Sequence, residues 1–363
     1  MTRRALLASM SAAALKAAPR KTRNIVLVTS DGLRWQEIFG GIDSRLMNEK
    51  SAGMQQKGAA ALREQLSKDT PEERRQALMP TFWKALAPRG VVLGNVNKGS
   101  SVRVTNAYRV SYPGYSEILT GRAQDDVIRN NDEIRNPTPT VLEFLSGKLG
   151  LTRRQVALFA SWNAFRVIGE HTPGSITINA GYATLDDAAP RARELSAMQF
   201  DARTPWDDSR HDYVTFQLAL DYLRREHPRV LQISFDETDD WAHDRRYDRV
   251  LEMIQFVDRS LLMLWTTLQS IPEYRDQTTL VFTSDHGRGD TLEDFSSHGA
   301  KVAGADQIWL AIIGPDTPAR GEVDHSETYY QRDIAPTILE LMGIPYTSYP
   351  GVQGKPIPVA LKS

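Results

Sequence analysis

The 363-residue chain contains no cysteine. That removes a disulfide framework, a thiolate-held metal and a thiol nucleophile from the possibilities, while leaving the redox compartment open. Long apolar runs are missing too: none approaches the roughly 18 residues that a membrane-spanning helix requires. There is also no surplus of positive charge. Forty-four Lys/Arg stand against 45 Asp/Glu, and six of the bases (Arg3, Arg4, Lys16, Arg20, Lys21, Arg23) fall within residues 1–23, which hold no acid. The remaining chain has 38 bases against 45 acids. A mildly acidic body of this kind argues against a surface for nucleic acid. Repeats, low-complexity tracts and an obvious interdomain linker are absent, and apolar and charged fractions of 41% and 25% are ordinary for a globular chain.

What is present begins with that basic start. Paired arginines, a weakly apolar Ala/Leu segment and small residues before Pro19 form the layout of a bacterial export signal. Thr2-Arg3-Arg4-Ala5-Leu6-Leu7 resembles a twin-arginine signal, whose cargo crosses the membrane folded. The expectation is a periplasmic or secreted protein, with residues 1–23 as the signal; a basic N-terminal helix on a cytoplasmic protein is the alternative. Residues 24–363 are expected to form a single domain, with insertions near 40–80 and 172–210.

Short apolar, β-branched runs alternate with helix-periodic segments. Asn24–Thr29, Gln155–Ser161, Val230–Phe235, Thr278–Thr283 and Gln307–Ile313 read as strands, and Gly90–Val96 as a turn and strand. Thr140–Leu149, Asp212–Glu226, Arg249–Leu268 and Asp333–Gly343 read as helices. Continuous apolar runs suit strands buried on both faces, so the pattern predicts an α/β fold on a largely parallel sheet flanked by helices.

Three of these strands run into acids at their carboxyl ends, where open α/β sheets place their ligands. Asp31 follows the first, the Asp236–Asp240 cluster follows Val230–Phe235, and Asp285 follows Thr278–Thr283. Histidines lie close by: His243 four residues after Asp239, His286 beside Asp285, and His298 twelve residues further on. Carboxylate and imidazole together suit Zn²⁺ or Mn²⁺ when no thiolate is available. Ser111, just before Tyr112-Pro113-Gly114 and an amphipathic segment, reads as a hydroxyl at a helix entrance. It is either an N-cap or a nucleophile.

The residues now resemble the alkaline phosphatase superfamily, specifically its two-metal phosphodiesterases, phosphatases and cofactor-independent phosphosugar mutases. Ile25–Gly32, Ser111-Tyr112-Pro113-Gly114 with Thr120-Gly121, Asp239-x-x-x-His243, Ser284-Asp285-His286-Gly287, Ser297-His298-Gly299 and the closing segment 333–343 occur in the order that family uses. The resemblance implies an alkaline phosphatase-like fold and two divalent metal ions, Zn²⁺ or alternatively Mn²⁺. Asp31, Ser111, Asp285 and His286 would surround one ion, and Asp239, His243 and His298 the other. It also implies an Asn that donates to a phosphoryl oxygen, either Asn131 or its neighbour Asn130. His325 is the rival to His298. Asp236 and Asp240 are expected as supporting or capping groups, and His171, His211 and His227 as loop or surface residues, with His171 a candidate for the entrance. Arg288, Trp35 and Trp241 are candidates to contact substrate.

Departures narrow the resemblance. Formylglycine sulfatases carry C/S-x-P-x-R, and here Tyr115 holds the Arg position. Mutases carry a large cap domain, for which the intervals after Asp31 and after Gly121 are short. The implied activity is hydrolysis of a small-molecule phosphate ester by metal-activated Ser111 through a covalent phosphoserine. A sulfate- or phosphonate-ester hydrolase and a non-catalytic metal-binding envelope protein are the alternatives. The residues leave the oligomeric state open.

Overall fold

The structure, a computed structural model, describes residues 20–56, 59–185 and 189–362. The paired arginines and the Ala/Leu segment of the expected export signal lie outside the described residues. Among those described, the strands in chain order are β1 (Asn24–Ser30), β2 (Gly90–Leu93), β3 (Ser101–Arg103), β4 (Val156–Ala160), β5 (Thr177–Ala180), β6 (Val230–Phe235), β7 (Thr278–Thr283), β8 (Gln307–Ile308), β9 (Leu310–Ile313), β10 (Gly321–Glu322) and β11 (Thr328–Tyr330). The main sheet has the order β10-β2-β9-β7-β1-β6-β4-β5, and β11-β3-β8 form a smaller one.

β1 pairs in parallel with β6 on one side and β7 on the other, and β4 and β5 continue the parallel set. Only β9 runs against its neighbours in the main sheet, antiparallel to both β7 and β2. The largely parallel sheet anticipated from the apolar runs is therefore what forms. The physical reason is visible in β1. Val26 and Val28 pack into one core with helices Asp212–Glu226 and Tyr247–Ser270, while Ile25 and Leu27 pack into a second core with helices Ser111–Thr120, Val141–Leu149 and Ile334–Leu341. Alternate side chains leave opposite faces of a strand, so a strand covered by helices on both faces has no polar positions to spare.

One expected strand divides in two. Gln307–Ile313 reads as continuous in sequence, but its first two residues join the small sheet and its last four the main sheet. Trp309 sits between them, fully buried, its indole N–H donating to the Leu33 carbonyl at 2.9 Å and its ring edge-on to Phe282. Anchoring this large ring in the core turns the chain from one sheet to the other.

Because β1, β6 and β7 are parallel, the residues that follow them emerge at the same edge. Asp31, Asp236 and Ser284-Asp285-His286 are brought together by topology alone. The helix Ser111–Thr120 packs over this edge, every residue of it buried. Gly114 is what allows the approach: a Cβ there would lie 2.3 Å from the Asp285 carbonyl oxygen. Replacing Gly114 by Ala is therefore expected to destabilise the fold by about 1–3 kcal/mol, the usual cost of overpacking. Urea unfolding measures it; an unchanged midpoint would mean that the helix can back away from the strand end without cost.

Candidate active site

His286 is the hub of the site. It is fully buried, and its Nδ1 lies 3.0 Å from the Gly287 carbonyl, so Nδ1 carries the proton and Nε2 offers a lone pair. Around that Nε2 stand Asp31 Oδ1 at 3.3 Å, Asp285 Oδ2 at 3.4 Å and Ser111 Oγ at 3.4 Å. Both carboxylate oxygens are buried and without a hydrogen-bond partner. Orphaned buried carboxylate oxygens are costly, and here they point at a shared centre. Ligands held about 2.0–2.2 Å from a tetrahedral zinc ion stand roughly 3.3–3.6 Å from one another, which matches these separations. The residues present fit a divalent ion. Burial first, and the neighbouring Asp239 and Asp31 carboxyls second, hold Asp31 and Asp285 respectively well above the ordinary carboxylate range; a cation between them reverses that.

Ser111 is not the cap of its helix. Val110 occupies the N-cap, and Ser111 is the first helical residue, so its hydroxyl faces His286. The opposite oxygen of Asp31 accepts the Tyr115 hydroxyl at 3.0 Å, and the other oxygen of Asp285 accepts the Gly32 N–H at 3.1 Å. Burial, with Asp285 and Asp31 beside it, pushes the Tyr115 hydroxyl well up, so it stays a donor. Gly32 has a positive φ of 57°, and a Cβ there would lie 2.2 Å from Asp239 Oδ1.

A second group forms next to the first. His243 Nε2 lies 2.9 Å from Asp239 Oδ2 and 3.0 Å from His298 Nε2, as the i,i+4 spacing on helix Glu237–His243 intends. His298 stacks on His286 with ring centroids 3.9 Å apart. Burial, then His286, pushes His298 down to about 2, which leaves its ring neutral and its lone pair free. Asp239 goes the other way. Burial acts to raise its carboxyl, but the Arg288 guanidinium and His243 outweigh burial and hold it well below the usual range. Asp31, Asp285 and His286 offer ligand atoms all within 4.8 Å of one another, and so do Asp239, His286 and His298. The structure thus brings together seven of the eight sequence-predicted site residues around two adjoining centres, with His286 reaching toward both. The eighth, Asn131, stands at the rim. Its Oδ1 accepts the Tyr112 N–H at 2.9 Å, which leaves its amide N–H groups as donors. Asn130 closes a local turn with Asp132 instead.

Other expectations are corrected by the packing. Arg288 is 2% exposed and binds Asp239, through its carboxylate and through its carbonyl at 3.0 Å, so it backs a ligand rather than facing substrate. Trp35 packs on the core, and Trp241 stands edge-on to Trp206, so neither lines the cavity beside Ser111. His325 sits exposed on a loop, its N–H on the Lys98 carbonyl, away from the centre. His171 and His227 are loop residues; His211 ends against Glu237 Oε1 at 2.8 Å.

Sequence reasoning also missed contributors. A cavity of about 280 Å³ adjoins Ser111, and Trp162, Asp208 and Ser209 line it. Asp236, at the N-cap of Glu237–His243, lines it too and accepts the Ser209 hydroxyl rather than capping the helix. A relay of polar contacts orients His298. Buried Glu117 accepts N–H groups from Thr105 and Asn106, Asn106 Oδ1 accepts the Arg109 N–H at 2.7 Å, and the Arg109 carbonyl lies 3.1 Å from His298 Nδ1. Glu117 alone among these carried a signal, the one charged residue inside an otherwise uncharged, buried helix.

A family profile described as Sulfatase matches residues 100–344, which include Ser111, Asp239, His243, Asp285, His286 and His298 and begin after Asp31. A 2,3-bisphosphoglycerate-independent phosphoglycerate mutase of Gracilaria tenuistipitata var. liui is 24% identical over 132 residues, 35% of this chain and 23% of that protein. The similarity thus spans less than a quarter of that curated relative. A phosphonate monoester hydrolase from Silicibacter pomeroyi has a similar structure, with a TM-score of 0.56 at 15% identity over 93% of this chain and 76% of the other. The alkaline phosphatase PafA gives 0.58 at 10% identity over 96% and 100%. At such identities the likeness concerns the fold, which is alkaline phosphatase-like as the motif order implied.

Removing the hydroxyl that supports Asp31, by Tyr115→Phe, is expected to weaken metal binding by about 10–100-fold, as loss of a ligand's hydrogen-bond partner does elsewhere. Zinc titration followed by calorimetry reads it, and an unaltered affinity would remove Tyr115 from the support of the site.

Proposed function

The chain belongs to the sulfatase family, within the alkaline phosphatase superfamily, and from that premise we propose that it is a hydrolase of phosphate esters. The observation that carries this reading is the convergence of Ser111 Oγ and two partnerless carboxylate oxygens on His286 Nε2, at 3.3 to 3.4 Å. Asp31, Ser111, Asp285 and His286 would hold one divalent ion, and Asp239, His243 and His298 the other, with Zn²⁺ the best match to the donor set and Mn²⁺ the alternative. Ions bound there supply Lewis acidity that favours a deprotonated serine and neutralises charge on the phosphoryl oxygens.

The chain's own residues then act as follows. Ser111 Oγ forms a bond to phosphorus while the ester oxygen opposite it departs and takes up a proton. Water attacks the resulting phosphoserine, Ser111 leaves with a proton, and phosphate carries away the water oxygen. Asn131, its Oδ1 already engaged by Tyr112 N–H, directs its amide N–H groups to a phosphoryl oxygen. Tyr115, Gly32 and Arg288 keep Asp31, Asp285 and Asp239 in place.

A second reading is a sulfate- or phosphonate-ester hydrolase, favoured by the family to which the chain belongs. Ser111 with Pro113 preserves part of the formylglycine pattern, but Tyr115 replaces its arginine. The residues 1–23 remain proposed as an export signal; no helix among the described residues is long and apolar enough to cross a membrane.

The test is Ser111→Ala. Turnover of nitrophenyl phosphate mono- and diesters, assayed with added Zn²⁺ or Mn²⁺, is expected to fall by about a thousandfold or more. Metal content by elemental analysis should stay near that of the parent. Undiminished turnover in the variant sinks the serine mechanism. A parent faster on sulfate esters than on phosphate esters favours the second reading, and less than one ion per chain favours a non-enzyme.

A further inference from the structure

The cavity beside Ser111 has two unlike walls. One is the ligand set just described. The other is built from Asp208, Ser209, Asp236, Asp240 and Trp162, with Glu133 at the rim. Among the described residues, no Lys or Arg lines the cavity. The guanidiniums nearest in sequence are committed elsewhere. Arg210, fully buried, turns to Thr215 Oγ1 at 2.8 Å, the Asn179 carbonyl at 3.2 Å and Gln199 Oε1 at 3.3 Å. Arg246 pairs with Asp248, and Arg203 lies over Tyr182. Only Glu133 has a basic neighbour, Arg166 at 3.7 Å.

The carboxyls on this wall are not equally satisfied from within. Asp208 accepts the Trp162 indole N–H at 3.0 Å, and Asp236 accepts the Ser209 hydroxyl. Asp240 has a buried Oδ2 with no partner. Because Trp162 spends its N–H on Asp208, what it has left for a ligand is its ring, a surface that attracts cations. Three carboxyls and an indole therefore line a space next to the nucleophile, and among the described residues no Lys or Arg joins them.

We infer that the group esterified to phosphorus in this site is cationic, an amino or quaternary ammonium alcohol, received by Asp208, Asp236 and Asp240 with Trp162. This rests on the hydrolase reading above and names its substrate class. The phosphoryl group meets the ion-binding wall, and its positively charged substituent meets the acidic one. An anionic substituent would find no positive partner on the same wall.

Two measurements on the zinc-loaded protein test it. In the first, calorimetry compares choline with its uncharged isostere 3,3-dimethylbutan-1-ol. Choline is expected to bind at least tenfold tighter, and the doubly substituted Asp208→Asn/Asp240→Asn protein is expected to lose that preference. Equal affinities in the parent overturn the inference, as does a preference that survives in the double variant. Equal affinities with a third zinc ion found per chain would assign the acidic wall to metal instead, which also overturns it.

In the second, three nitrophenyl phosphodiesters are compared, with trimethylammonioethyl, dimethylbutyl or carboxypropyl as the other ester group. The expected order of kcat/KM is cation, then neutral, then anion. A reversed or flat order overturns the inference while leaving the hydrolase reading intact. If none of the three turns over, the hydrolase reading fails, and the choline comparison still decides whether the wall is a cation site.

Discussion

Asp31, Asp239 and Asp285 bring three carboxyl groups to one imidazole nitrogen, with oxygens 3.3, 3.8 and 3.4 Å from His286 Nε2, in a largely buried place at the foot of the cavity. Like charges so close and so buried repel one another strongly, and the low dielectric around them offers no relief. Among the described residues one guanidinium reaches the group, that of Arg288, and it bonds Asp239. Arg288 also acts on Asp31 from nearby, but among the described residues no side chain bonds the remaining oxygens of Asp31 and Asp285. Burial, and then the repulsion, hold Asp31 and Asp285 well above the ordinary carboxylate range, and a cation arriving between them would relieve it. That electrostatic tension is the constraint around which the ligand types and the closeness of the strands that carry them are arranged.

Holding such a group together is the work of polar contacts on its far side. Thr238 Oγ1 donates to the Asp31 carbonyl at 2.6 Å, tying the ligand helix Glu237–His243 to the end of β1. Gln331, fully buried, donates to the Asp285 carbonyl at 2.5 Å from the segment that opens the last helix. Gly287 N–H meets the Ala305 carbonyl, and Gly289 N–H the Ser297 carbonyl, so the loop between His286 and His298 folds back and lays one ring on the other. Each contact fixes a main-chain position rather than a ligand oxygen, leaving the oxygens that face the centre free. Fixing the ligands through their backbones tolerates an empty and a filled site alike.

The division between what sequence discloses and what it hides follows from the range of the forces involved. Strands β1, β6 and β7 are legible because burial on both faces leaves an uninterrupted apolar run, and a run that stops at Asp marks the edge where ligands gather. Asp31, Asp285, His286 and the Asp239–His243 pair are local to those edges, so a short window contains their signal. Trp309 hides because its effect is tertiary: an apolar residue in an apolar run gives no hint that its ring will divide the strand. Asp208, Ser209 and Trp162 hide for the same reason, each meeting the site from a segment with no periodic pattern of its own. Arg288 misleads in the opposite direction. Its place between two ligands suggests substrate, whereas the repulsion around Asp239 draws it inward.

Tyr115 shows how one departure changes the electrostatics of the whole arrangement. An arginine here, as in the formylglycine pattern, would bring a permanent charge against Asp31, since guanidinium does not lose its proton in proteins. A tyrosine brings only a neutral donor at 3.0 Å, and burial keeps it neutral. Asp31 therefore keeps one oxygen without a partner, and the site leans less on fixed side-chain charge than the formylglycine pattern does. The same logic extends across the cavity, where Asp208, Asp236 and Asp240 again lack basic partners on the wall. In the proposed reading, a site poor in fixed positive charge would attract a phosphoryl group through bound ions and would favour a substrate that itself carries positive charge on the far side.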